Sequence, residues 1–117
     1  MRAPLLALLL TTVTLAACGG DDDGDTASSA ACPSGAVTIK MVDTKFDPET
    51  ATAAVGDTVC WVNEDSIQHN AVAESGASFK SELFNKGQTF TAKLDAAGDV
   101  KYVCTVHPGM TGEITVK

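Results

Sequence analysis

The chain has 117 residues, a formal net charge of −7 and four cysteines, with 44% of its residues apolar and 5% aromatic. That length holds one small domain. The acidic balance, with only eight lysine and arginine residues in all, excludes the basic surface that nucleic-acid binding requires.

In chain order, Met1 and Arg2 make a short basic start before an apolar run of 13 residues from Leu5 to Ala17. A helix needs about 20 apolar residues to cross a bilayer, so residues 1–17 read as a secretion signal and not as a membrane span. The run ends in Leu15-Ala16-Ala17-Cys18, which resembles the bacterial lipoprotein lipobox. The resemblance implies cleavage before Cys18 and acylation of its sulfur. The protein is then exported and lipid-anchored at Cys18, on the outer face of the cytoplasmic membrane or in the periplasm. The alternative is an ordinary signal cut after Ala17 that leaves a soluble protein. Residues 18–31 form the anchor and a linker with four aspartates and no large apolar side chain, so nothing there can build a core. From residue 19 onward this linker reaches roughly 20 Å as a coil, or up to about 45 Å stretched. Beyond it the domain keeps seven lysines against eleven acidic residues, a charge of −4.

The domain, residues 32–117, reads as strands and turns. Residues 36–42, 57–63, 89–94 and 112–117 each alternate apolar and polar side chains, the period of a half-buried strand. Turn signals at Asp47-Pro48, Val55-Gly56-Asp57, Ser75-Gly76, Lys86-Gly87 and Ala97-Gly98-Asp99 are closely spaced. Such spacing favours an all-β sandwich, here of seven to eight strands, over strand-helix alternation. Residues 74–86 look irregular, with a helical turn predicted at Glu82-Leu83-Phe84. Trp61, Phe46, Phe79, Phe84, Phe90, Tyr102 and Met41 are expected in the core, because so small a domain needs its large side chains to bury area.

Three cysteines remain once Cys18 is assigned to the signal. In an oxidising compartment one of Cys32, Cys60 and Cys104 must stay unpaired or bind something. Cys104 stands apart in Tyr102-Val103-Cys104-Thr105-Val106-His107-Pro108-Gly109-Met110, where a thiolate, an imidazole and a thioether recur every third residue. In a strand these side chains would point to alternate faces. Pro108 and Gly109 break the strand and let the chain bend until all three converge. The loop supplies one histidine, and the only other in the chain, His69, follows the strand at residues 57–63 after a short loop. Cysteine and methionine are soft ligands that suit copper, whereas structural zinc sites seldom use methionine. Two histidines, one cysteine and a weak axial methionine form the known ligand set of blue-copper electron-transfer sites.

Residues 56–65, then His69-Asn70, then the loop from Cys104 to Met110 resemble the small cupredoxins of the plastocyanin, pseudoazurin and amicyanin group, over residues 36–117. The resemblance implies a Greek-key β-sandwich and one type 1 copper per chain, bound by His69, Cys104, His107 and Met110. It implies electron transfer between a donor and an acceptor protein, with no catalysis and no nucleic acid, and a monomer is expected. Asn70 is expected to tie the His69 segment to Thr105. His107 and Pro108 are expected on the surface where electrons leave. Two residues between His107 and Met110 make a short loop, similar to that of amicyanin. The sequence departs from the common pattern in having Gln68 before the first histidine, where many relatives have proline, and in an extra cysteine pair. Cys32 and Cys60 are expected to form a disulfide that joins the domain's N-terminal end to the strand of Trp61.

Three other readings compete. An immunoglobulin-like sandwich would use Cys60, Trp61 and Tyr102-Val103-Cys104 as its disulfide, core tryptophan and tyrosine corner, but there the tryptophan lies well beyond the first cysteine, and here the two are adjacent. An exported copper chaperone or storage protein would need an exchangeable site rich in methionines or paired cysteines, which this chain lacks. A copper enzyme would need further ligands and an open coordination position, and the chain has no third histidine.

Overall fold

The computed structural model describes residues 31–117; the predicted secretion signal, Cys18 and the linker as far as residue 30 lie outside the described residues. Eight strands form, β1 (Val37–Val42), β2 (Lys45–Asp47), β3 (Thr50–Ala53), β4 (Thr58–Asn63), β5 (Val72–Ser75), β6 (Thr89–Lys93), β7 (Gly98–Val103) and β8 (Thr111–Val116), with no helix among the described residues. They make two four-stranded sheets, ordered β2-β1-β4-β6 and β3-β8-β7-β5. The chain crosses from sheet to sheet after β2, β3, β4, β5 and β6, which produces the Greek-key sandwich.

Each strand buries the face that its alternation marks. In β1 the inward residues are Ile39 and Met41, in β7 Val100 and Tyr102, and in β8 Ile114 and Val116, all 3% exposed or less. β4 differs because three successive residues, Cys60 among them, are buried. Val59 and Trp61 belong to the core cluster, so Cys60, between them, points to the opposite face. Cys60 is bonded there to Cys32, and the N-terminal segment covers this part of the outer face.

The two sheets meet around an aromatic cluster. Trp61 of the first sheet stands edge-on to Tyr102 of the second at 5.4 Å between ring centroids, and Phe79 and Phe90 lie 4.8 and 5.5 Å from Trp61. Phe46 packs on Tyr102 at 4.6 Å. Each such side chain contributes about 1.5–3 kcal/mol by leaving water, and ring pairing adds about 0.5–1.5 kcal/mol.

Three features differ from the sequence reading. β2, β3 and β5 hold three or four residues, too few to show a period. Gly98 and Asp99, read as part of a turn, instead open β7 and pair with β8. Glu82-Leu83-Phe84 forms no helical turn: the segment is extended, with Phe84 in an antiparallel bridge to His69 and Lys80 in one to Val72. Pairing with the chain that follows β4 wins over the weak local preference.

Parallel pairing of β1 with β4, in the register Met41↔Asn63, brings the C-terminal ends of both strands to one end of the sandwich. The β1–β2 turn, the chain after β4 and the β7–β8 loop gather there.

Candidate metal centre

The β7–β8 loop is folded by its own backbone. Cys104 donates its amide to the Met110 carbonyl at 2.9 Å, and Met110 donates to the His107 carbonyl at 3.1 Å. The second bond spans a four-residue turn with Pro108 at its second position and Gly109, at φ +86°, at its third. Proline followed by a residue with positive φ is the signature of a type II turn, and it reverses the chain between His107 and Met110. Two residues beyond the loop, Gly112 lies against Tyr102, and a Cβ there would overlap the phenol ring.

His69 reaches the same place from the other side. Its backbone pairs with Phe84 in both directions, at 3.3 and 2.9 Å. Asn63, at the end of β4 and fully buried, holds the loop before it. Its amide nitrogen donates to the carbonyls of Ile67 and Phe84, both at 2.9 Å, and its Oδ1 accepts from the Asp65 amide at 2.8 Å.

The result is a compact donor set. Single ligand atoms of His69, Cys104 and His107 all lie within 4.8 Å of one another. His69 Nδ1 is 3.1 Å from His107 Nδ1, and Cys104 Sγ is 3.4 Å from His107 Nδ1 and 3.8 Å from His69 Nδ1. An ion bonded at about 2.0 Å to nitrogen and 2.3 Å to sulfur needs a triangle with edges of roughly 3.5 and 3.8 Å. The three donors therefore fit one ion with shifts below about half an ångström. Cys104 is the only free cysteine among the described residues. Met110 is 2% exposed and packs in the core cluster beside Cys104.

The other sequence-predicted residues are placed as follows. Asn70 and Thr105 hold each other through two bonds of 2.8 Å, with Asn70 Nδ2 donating to Thr105 Oγ1 and the Thr105 amide donating to Asn70 Oδ1. These bonds tie the His69 segment to the ligand loop. His107 is half-buried and Pro108 exposed. The disulfide between Cys32 and Cys60 leaves Cys104 outside any crosslink, which removes the immunoglobulin-like reading. Cys18 lies outside the described residues.

Two residues escaped the sequence reading, Asn63 and Asp65. The Asp65 carboxylate accepts hydrogen bonds from the amides of Asp43 and Thr44, at 2.8 and 2.9 Å, and lies 2.7 Å from His69 Nε2. Burial pushes its pKa up, but the bonds from Thr44, His69 and Asp43 outweigh burial and hold the carboxyl below its ordinary value of 3.8. The signal available was only the i,i+4 spacing of an acid and a histidine in a loop, which carries no structural weight outside a helix.

Comparison with known proteins agrees with this geometry. Residues 33–117 match the family of copper binding proteins, plastocyanin/azurin family. Amicyanin of Paracoccus denitrificans is 30% identical over 94 residues, covering 77% of this chain and 72% of that protein. Plastocyanin of Scenedesmus fuscus is 38% identical over 84 residues, covering 62% and 86%. A solved structure of an amicyanin variant in its Cu(I) form superposes with a TM-score of 0.74 at 28% identity, covering 81% of this chain and 95% of that one. The chain belongs to the copper-binding plastocyanin/azurin family, and copper is its cofactor.

Proposed function

We propose that the protein is an exported, lipid-anchored electron carrier that passes electrons between redox proteins, with one type 1 copper held by His69, Cys104, His107 and Met110. As a family member it is a carrier and not an enzyme. The observation that carries the reading is the convergence of one thiol and two imidazole nitrogens within 4.8 Å at one end of the sandwich. When bound, copper supplies a one-electron Cu(II)/Cu(I) couple.

The residues around it serve that couple in different ways. His69 and Cys104 are buried and held from behind, His69 by Asp65 and Phe84, and the Cys104 loop by Asn70 and by its own amide bond to Met110. Donors fixed this firmly keep the same positions in both oxidation states. His107 alone reaches the rim, beside exposed Pro108, and its ring edge is the side chain nearest an approaching partner. Ile67, Leu83 and Val106 are large apolar side chains left 42–47% exposed, on the three segments that meet at the site.

Adding copper(II) to the protein is expected to give a strong thiolate-to-copper absorption near roughly 600 nm that is lost in Cys104→Ser. A folded, copper-loaded protein without that band would end this reading. The tether rests on the apolar run and the sequence Leu15-Ala16-Ala17-Cys18. Cys18→Ser is expected to stop incorporation of labelled fatty acid and to move the protein from the membrane fraction; an unlabelled wild-type protein would remove the anchor from the proposal.

A further inference from the structure

We infer that Asp65 is the positioning residue of this site: it fixes which nitrogen His69 turns toward the metal, and it anchors that choice in the β1–β2 turn. The inference rests on the reading of His69 as a ligand. A carboxylate without a proton only accepts hydrogen bonds. With Asp65 Oδ2 at 2.7 Å, His69 Nε2 must carry the proton of the neutral ring, which leaves the Nδ1 lone pair free. Nδ1 is the atom that faces Cys104 Sγ and His107 Nδ1. His69 is fully buried, so no solvent competes for either nitrogen.

The carboxylate is itself held on both oxygens. Asp43 donates its amide to Oδ1, and Thr44 donates to Oδ2, the oxygen that also faces His69. Asp43 and Thr44 both sit at positive φ, 52° and 59°, a conformation that points the successive amides of a two-residue hairpin turn toward one anion. The Asp65 amide is bound in turn by the buried Asn63. A chain of short contacts thus runs from the β1–β2 hairpin to the ligand, 25 to 26 residues apart in sequence.

Such a partner does more than orient the ring. A carboxylate bonded to the far nitrogen raises the donor strength of the near one, which favours the more highly charged Cu(II) state and lowers the reduction potential. Removing the negative charge while keeping the shape, as in Asp65→Asn, is expected to raise the potential and to weaken Cu(II) affinity by about 10- to 100-fold. A residue that only held the loop in shape would leave the potential of the folded, loaded protein unchanged.

The test combines two measurements on the full-length chain. In the metal-free protein, long-range nitrogen-proton NMR distinguishes the two tautomers of each ring, and only two histidines contribute. Wild type is expected to show His69 protonated at Nε2, and Asp65→Asn or Asp65→Ala to lose that fixed tautomer. In the copper-loaded protein, the potential of Asp65→Asn is expected to rise above wild type, with Asp65→Glu, which keeps the charge, lying nearer wild type. A wild-type His69 protonated at Nδ1, which needs no variant to fold, would overturn the inference. So would a blue Asp65→Asn protein with unchanged potential and copper affinity. A wild-type protein that takes up copper without a thiolate band fails the proposed function instead, and the tautomer measurement still stands on its own.

Discussion

Among the four proposed ligands His107 is the half-exposed one, while His69, Cys104 and Met110 are at most 3% exposed. In the proposed role, His107 is therefore the one of the four that a partner would approach, past exposed Pro108 beside it. Pro108→Glu adds bulk and charge at the rim while retaining every donor atom. It is expected to slow electron exchange with a partner protein by about tenfold and to leave the visible absorption unchanged; equal stopped-flow rates for the two proteins would show that contact is made elsewhere. The proposed ligands were readable because three lie within seven residues and carry chemistry that no core needs. Asp65 was not readable, because its partners are backbone amides of a distant turn and any residue type supplies those. Asn63 is simply the last residue of the alternating run 57–63, and only the fold shows it buried with both atoms of its side-chain amide hydrogen-bonded.

At the scale of elements, four of the five strands of five residues or more announced themselves by alternation: β1, β4, β6 and β8 begin and end within one residue or so of the predicted runs, whereas β7 is as long and matches none of them. The parallel pairs, β1 with β4 and β3 with β8, carry no local signature, since pairing direction depends on how the chain crosses between sheets. The segment between β5 and β6 was opaque for a related reason: its conformation is set by bridges to His69 and Val72 and not by its own residues. The β7–β8 pair shows how closely loop and core are joined. Gly112 opposes Tyr102 in that pair, and a methyl group there would strike a fully buried ring that is packed against Phe46 and Trp61. Gly112→Ala is expected to destabilise the domain by about 1–3 kcal/mol, read as a lower denaturation midpoint in guanidinium. An unchanged midpoint would mean that the ring has room to move.

At the scale of the whole molecule, the domain must stay folded with fewer than 90 described residues and a modest core, a size at which crosslinks matter. The disulfide joins Cys32, five residues before β1, to Cys60 in β4, a sequence separation of 28. In the unfolded chain a closed loop of that length removes conformational entropy equivalent to about 3–4 kcal/mol at room temperature. It also holds the start of the domain against the sheet, just where the linker begins. Force applied through the proposed tether would load this covalent bond before it loads β1. Replacing both cysteines by alanine is expected to lower unfolding stability by about 3–4 kcal/mol, less whatever structure the unfolded chain keeps. The blue absorption should persist, because Cys60 points to the outer face of β4 and none of the proposed ligands is on that strand. The check is denaturant unfolding of the metal-free double variant beside the wild type, with thiol titration to confirm that Cys104 is the one free thiol of the wild-type domain. Equal stabilities would show that the crosslink adds nothing to the stability of the folded domain, and loss of the absorption would show that the outer face of β4 reaches the metal site through the strand.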